Sequence, residues 1–101
     1  MRESETVELK KSLAELKEGL ISIAAILNKH RSGELWFGVA PTGKTIGLEI
    51  SDKTLRDVSQ AIGAHIEPRI YPQVEQQTRD GKHCLRIRFE GQQRLYFAYG
   101  R

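Results

Sequence analysis

The string Gly38-Val39-Ala40-Pro41-Thr42-Gly43-Lys44-Thr45 satisfies every fixed position of the phosphate-binding loop G-x-x-x-x-G-K-[ST], and the residues after it constrain the fold more than the string itself. In a nucleotide-binding loop the string opens a helix, whose N-terminal dipole holds the phosphates. The lysine reaches the outer phosphates and the hydroxyl binds magnesium. Here the next residues are Ile46-Gly47-Leu48-Glu49-Ile50, apolar at every second position, with an internal glycine and two β-branched residues. A helix cap at Ser51 or Asp52 then leaves room for about one and a half turns in between. A clear apolar strand ending in aspartate, the usual magnesium partner, is also lacking. The pattern predicts a β-hairpin, with Pro41 and Gly43 setting the bend. An ATP site made by Gly38, Gly43, Lys44 and Thr45 is the alternative reading of the same string.

The rest of the chain has regular periodicities. Val7 and Leu9 alternate with Glu8 and Lys10 in a short strand. Ser12, with Glu15 three residues on, caps a helix whose apolar stripe is Leu13, Leu16, Leu20, Ile23, Ala24 and Leu27. That helix fades over residues 28–32. Residues 34–39 read E-L-W-F-G-V, a run suited to a central strand. Thr45 to Ile50 predicts a second strand, and Leu55, Val58, Ile62 and Ile66 predict a second helix that Pro68 ends. Residues 71–78 form a polar strand near an edge, with Pro72 at its start. Asp80-Gly81 is a hairpin turn. In the strand after it, His83, Leu85, Ile87 and Phe89 face one way and Cys84, Arg86 and Arg88 the other. Arg94 to Tyr99 closes the series. The fold class is α+β, a mixed β-sheet with two helices on one face, in the order β-α-β-β-α-β-β-β.

A length of 101 residues suits one domain, residues 1–101, with one core. No apolar run is long enough for a membrane span, and the polar start Met1-Arg2-Glu3-Ser4-Glu5 lacks a signal-peptide core. The expected location is cytoplasmic. One cysteine, Cys84, excludes an internal disulfide and a cysteine-based zinc site. His30, His65 and His83 show no metal spacing. No cofactor is expected, and no serine stands in a nucleophile motif. The last residues, Leu95-Tyr96-Phe97-Ala98-Tyr99-Gly100-Arg101, are strand-like and aromatic, as expected of an N-terminal fragment of a longer protein.

A net charge of +3 permits nucleic-acid partners, and the position of the charges says more. Lys10 and Lys11 end the first strand. Arg86 and Arg88 leave one strand on one side, about 7 Å apart, a spacing suited to neighbouring phosphates. Lys82 and Arg94 flank them, and Lys44 stands at the hairpin tip. These seven residues are the expected nucleic-acid contacts. Pairing with Glu75 or Glu90 would instead make Arg86 and Arg88 a plain solvated face. Trp36, Tyr96 and Tyr99 could stack on bases if exposed, although Trp36 and Phe37 suit the core better. The unfinished sheet edge and aromatic C-terminal residues suit a homodimer.

Several motifs together resemble the Schlafen AlbA-like domain, a divergent AAA type. Residues 3–10, ESETVELK, resemble its opening E-S-x-x-x-E-x-K. Asn28 and residues 32–39, SGELWFGV, resemble N-x-x-G-G-x-l-x-i-G-V. Gly43 and Gly47 match G-x-v-x-G, while Pro68 with Tyr71-Pro72 fits I-x-P. Residues 95–101 resemble P-Y-x-A-x-G-R, with Leu95 in place of proline. The resemblance covers nearly the whole chain. It implies a DNA-binding domain at the N-terminus of bacterial transcriptional regulators and RecG-like ATP-dependent DNA helicase-related proteins, with DNA favoured over RNA and further domains downstream. It also implies that residues 38–45 lie across a hairpin. Some Schlafen proteins resemble metal-dependent ribonucleases, and Glu3 and Glu8 match two of their acids. Ala40-Pro41-Thr42 stands where the third is expected, so the domain alone does not read as an enzyme.

Overall fold

The computed structural model describes residues 1–93 and 95–101. The elements are β1 (Val7–Lys10), α1 (Leu16–His30), β2 (Ser32–Phe37), α2 (Asp52–His65), β3 (Ile66–Glu67), β4 (Gln73–Arg79), β5 (Lys82–Glu90) and β6 (Phe97–Ala98). A 3-10 turn at Leu13–Glu15 leads into α1, with the Ser12 side chain accepting from the Ala14 amide. The Ser51 hydroxyl and the Thr54 side chain cap α2 reciprocally.

Four strands form a mixed sheet in the order β1-β2-β5-β4. β1 and β2 are parallel, with α1 as their crossover, and the other neighbours are antiparallel. Leu20, Ile23 and Leu27 of α1 and Val58 and Ile62 of α2 share one core cluster with Leu35, Phe37, Leu85 and Ile87 of the sheet. Both helices therefore cover the same face, and each large side chain buried there contributes roughly 1.5–3 kcal/mol. A smaller cluster on the opposite face joins Leu9, Trp36, Val39 and Cys84. Burial pushes the Cys84 thiol up from its ordinary value, against the lowering effect of Arg79.

The architecture is the expected α+β one, but the order of elements differs. It is β-α-β-α-β-β-β-β, because residues 45–50 do not form a strand. β2 is flanked by β1 and β5 through Phe37, so neither of its edges is open to a returning strand. Only the bridge Val39↔Thr45 forms, just beyond the sheet. Gly47, at φ +90°, then turns the chain so that the Leu48 amide reaches the His83 carbonyl at 2.8 Å. The final strand is also shorter than expected. β6 spans two residues and pairs with β3, outside the main sheet. Arg94 lies outside the described residues.

The Asn28 side chain holds this last segment. Its Nδ2 donates to the Tyr96 carbonyl at 2.9 Å and its Oδ1 accepts from the Tyr96 amide at 2.6 Å. The Tyr96 hydroxyl in turn accepts from the Gln93 amide at 3.1 Å. Asn28→Ala leaves both backbone groups of Tyr96 without these partners and should cost about 2 kcal/mol. Urea unfolding of the variant measures this directly.

The two sheet edges differ. Along β1, Ser4 bridges to Val7, and Glu3 Oε2 accepts from the Leu9 amide at 3.1 Å. The N-terminal residues thus cover that edge, whereas β4 ends the sheet on the other side.

Candidate nucleic-acid interface

Strand alternation turns Lys82, Cys84, Arg86 and Arg88 of β5 away from the helices. The register sets Arg79 opposite Lys82, Glu75 opposite Arg86 and Gln73 opposite Arg88 on β4. On the other side Trp36 faces Arg86, and Glu34 faces Arg88. Lys82, Arg79, Arg86 and Arg88 therefore make a basic stripe about 20 Å long on the helix-free face.

One carboxylate organises part of this stripe. Glu75 Oε1 accepts from Nη2 of Arg86 at 3.3 Å and of Arg88 at 3.2 Å. Arg88 also donates to Gln73 Oε1. The pairing expected of a plain charged face is thus present. Such part-exposed ion pairs are worth about 0–1 kcal/mol each, and a guanidinium has five N–H donors. Glu75 orients the two arginines and leaves most of their donors unengaged.

Trp36 forms the floor. It is 5% exposed, its Nε1 donates to Glu34 at 3.0 Å, and the Arg79 and Arg86 guanidiniums each lie 5.7 Å from its ring centroid. Among the described residues, no hydrogen-bond partner meets the buried Nε atoms of Arg79 and Arg86. A covered Nε is closed to an incoming phosphate, so anion contacts fall to the remaining N–H donors of these guanidiniums.

The expected lysine contacts gather at the bend end of the sheet. Lys82 reaches across Gly47 to the Thr45 carbonyl at 3.4 Å. Lys44 is exposed on the bend. The Lys10 carbonyl accepts from the Gly38 amide at 2.8 Å, which puts Lys10 and Lys11 at the same end of the sheet as the bend. The Lys10 side chain shares the face of Phe37, not of Arg86, and pairs with Glu8 at 3.4 Å. The structure therefore unites Arg86, Arg88 and Lys82 on one face, with Lys44 next to the Thr45 carbonyl that Lys82 reaches, while the Lys10 side chain lies on the opposite face.

The ATP reading of residues 38–45 does not fit this geometry. The Gly43 amide bonds back to the Ala40 carbonyl at 2.8 Å, extended chain follows, and the next helix starts at Asp52. The Thr45 hydroxyl is spent on Asp80 Oδ2 at 3.0 Å. Among the described residues, no helix opens directly after the loop to hold phosphates. Glu3 and Glu8, the two acids of the nuclease reading, both lie along β1. Glu3 caps an edge amide, Glu8 pairs with Lys10, and no group of three His, Cys, Asp or Glu that could hold a metal ion occurs among the described residues.

The aromatic residues are also redistributed. Phe37 and Trp36 are core, as expected, and Tyr96 is buried too. Tyr99 stacks on His65 with centroids 4.4 Å apart, under Lys17, and burial pushes its hydroxyl pKa up, with Glu18 adding to the effect. Exposure falls instead on Tyr71, at 83%. Arg79 and Tyr71 were missed from sequence. Extending the alternation of Glu75 and Gln77 by one step would have found Arg79. The isolated Tyr71 carried no periodic signal.

A family model described as Schlafen, AlbA_2 matches residues 3–99. The chain belongs to the Schlafen AlbA_2 family. No curated protein matches the sequence. Among solved structures, this AlbA_2 domain is similar to the DIP2311 protein from Corynebacterium diphtheriae, with a TM-score of 0.75 at 17% identity. It is also similar to the N-terminal domain of a candidate ATP-dependent DNA helicase RecG-related protein from Nitrosomonas europaea, with a TM-score of 0.62 at 18% identity. These matches cover 98% and 89% of the AlbA_2 chain, which spans 20% and 65% of those chains respectively. At such identities the likeness is one of fold. Among the described residues, no helix is long and apolar enough to cross a membrane.

Proposed function

We propose that this AlbA_2 domain binds nucleic acid through phosphate contacts from Arg79, Arg86 and Arg88, with Lys82 at one end of the stripe. The observation that carries the reading is the row of Arg79, Lys82, Arg86 and Arg88 on the helix-free face, with Glu75 shared by Arg86 and Arg88 and Trp36 beneath Arg79 and Arg86. The arginines are held in place by Trp36 and Glu75, so an incoming phosphate finds oriented donors and little ordering entropy is lost. Lys44 and Lys11 add charge at one end of the sheet. The name of the RecG-related relative agrees with DNA as the ligand, in a bacterial regulator or helicase-related protein of the cytoplasm. The edge of β4 is where a second copy would extend the stripe.

Fluorescence anisotropy with a labelled oligonucleotide, repeated from low to high salt, tests the reading. Three phosphate contacts on a single strand predict a log K against log salt slope near about −2. Affinity that does not change with salt, or no binding at low salt, would contradict it.

A further inference from the structure

Tyr71 has the highest exposure among the exposed large hydrophobic side chains of the described residues. Its neighbours hold it there. Ile70, 5% exposed, anchors the loop in the main core. Pro72 follows, which restricts Tyr71 to extended backbone and fixes its own φ. The ring is thus presented on a short, tethered loop between β3 and β4. On one side the Arg69 guanidinium lies 5.6 Å from its centroid.

Tyr71 also lines a groove of about 490 Å³ that runs over the start of β2 and the end of β5. This volume falls within the range of about 300–1,000 Å³ seen for small-molecule sites. Arg88, Gln73, Glu34, Ser32 and Glu90 share the lining. Arg88 belongs at once to the groove and to the basic stripe, so a strand following the stripe enters the groove. The lining mixes hydrogen-bond donors and acceptors, as a base edge requires.

Resting on the nucleic-acid reading above, we propose that this groove receives one unpaired base of a single strand, stacked on Tyr71, while Arg69 and Arg88 meet the flanking phosphates. A duplex keeps its bases stacked on one another and has no face to offer to a lone tyrosine. A single strand has a free face on every base. Arg69 lies over the ring and Arg88 shares the groove lining with Glu34 and Glu90, so positive charge is available at the ring and along the groove.

The test compares three labelled probes of equal length: a single-stranded oligonucleotide, the same backbone with abasic sites, and a duplex. Stacking one base predicts that the base-bearing single strand binds about 5- to 100-fold tighter than the abasic one. Tyr71→Ala should erase that difference and Tyr71→Phe should keep it. Both variants should melt like the parent, because the ring is exposed. Equal, salt-dependent affinity for base-bearing and abasic strands, or preference for the duplex, overturns the stacking site and leaves phosphate binding intact. Failure of all three probes to bind at low salt overturns both readings together.

Discussion

Replacing Arg86 and Arg88 together by alanine is expected to weaken nucleic-acid binding by about 10- to 100-fold, since each charge-assisted bond to phosphate is worth about 1.5–3 kcal/mol and part of this is recovered by rearrangement. The slope of log K against log salt should become shallower by about 0.7 for each lost contact on a single strand, hence by about 1.4 for the pair. The two effects belong together: a fall in affinity with an unchanged slope would mean a disturbed fold and not lost phosphate contacts. The parent and variant are compared by anisotropy titration at several salt concentrations. Both arginines are partly exposed, at 23% and 46% of their side-chain surface, so their removal leaves the main core intact. Equal affinity in parent and variant would remove the helix-free face from the account.

Gly33→Ala should produce the largest loss of stability. A Cβ at this position would lie 2.6 Å from the Thr6 carbonyl oxygen, 2.7 Å from Ile26 Cγ2 and 3.1 Å from the Phe89 ring. The carbonyl cannot retreat, because it accepts from the Glu34 amide at 2.8 Å in the parallel β1–β2 pairing. Glycine is needed where helix, strand and crossover meet. Overpacking of this kind costs about 3 kcal/mol, which corresponds to a fall in melting temperature on the order of 10–20 °C for a domain of this size. Thermal denaturation followed by circular dichroism reads it. A melting temperature equal to the parent's would show that α1 and β2 are not packed so closely.

Local pattern made some of this legible in advance. The period-two run of β5 separated Leu85 and Ile87 from Arg86 and Arg88, and the structure keeps that division. Ser51 and the Asp80-Gly81 turn were readable because caps and tight turns depend on neighbouring residues alone, whereas Ser12 caps the short 3-10 turn before α1 and Glu15 accepts from the Lys11 amide. Residues 45–50 were misread for a physical reason. Alternation shows that a segment is extended, but pairing needs an open edge, and β1 and β5 had taken both edges of β2. Lys10 was grouped with the arginines because sequence proximity to Lys11 hides which face of the sheet a residue occupies. Asn28 was noticed as part of a motif, and only its contact with Tyr96, 68 positions away, shows what it does. Tyr71 owes its exposure to Ile70 on one side and Pro72 on the other, a contrast visible only once burial is known.

The most direct test of the account is chemical-shift mapping of the labelled domain during titration with a short oligonucleotide. Trp36 is the single tryptophan, so its indole signal is assigned at once, and it lies beneath Arg79 and Arg86. Salt-sensitive shifts are expected at the Trp36 indole and at Arg79, Arg86 and Arg88, with the outward faces of α1 and α2 unchanged. Shifts confined to the helical face, with the Trp36 indole unmoved at saturation, would contradict it.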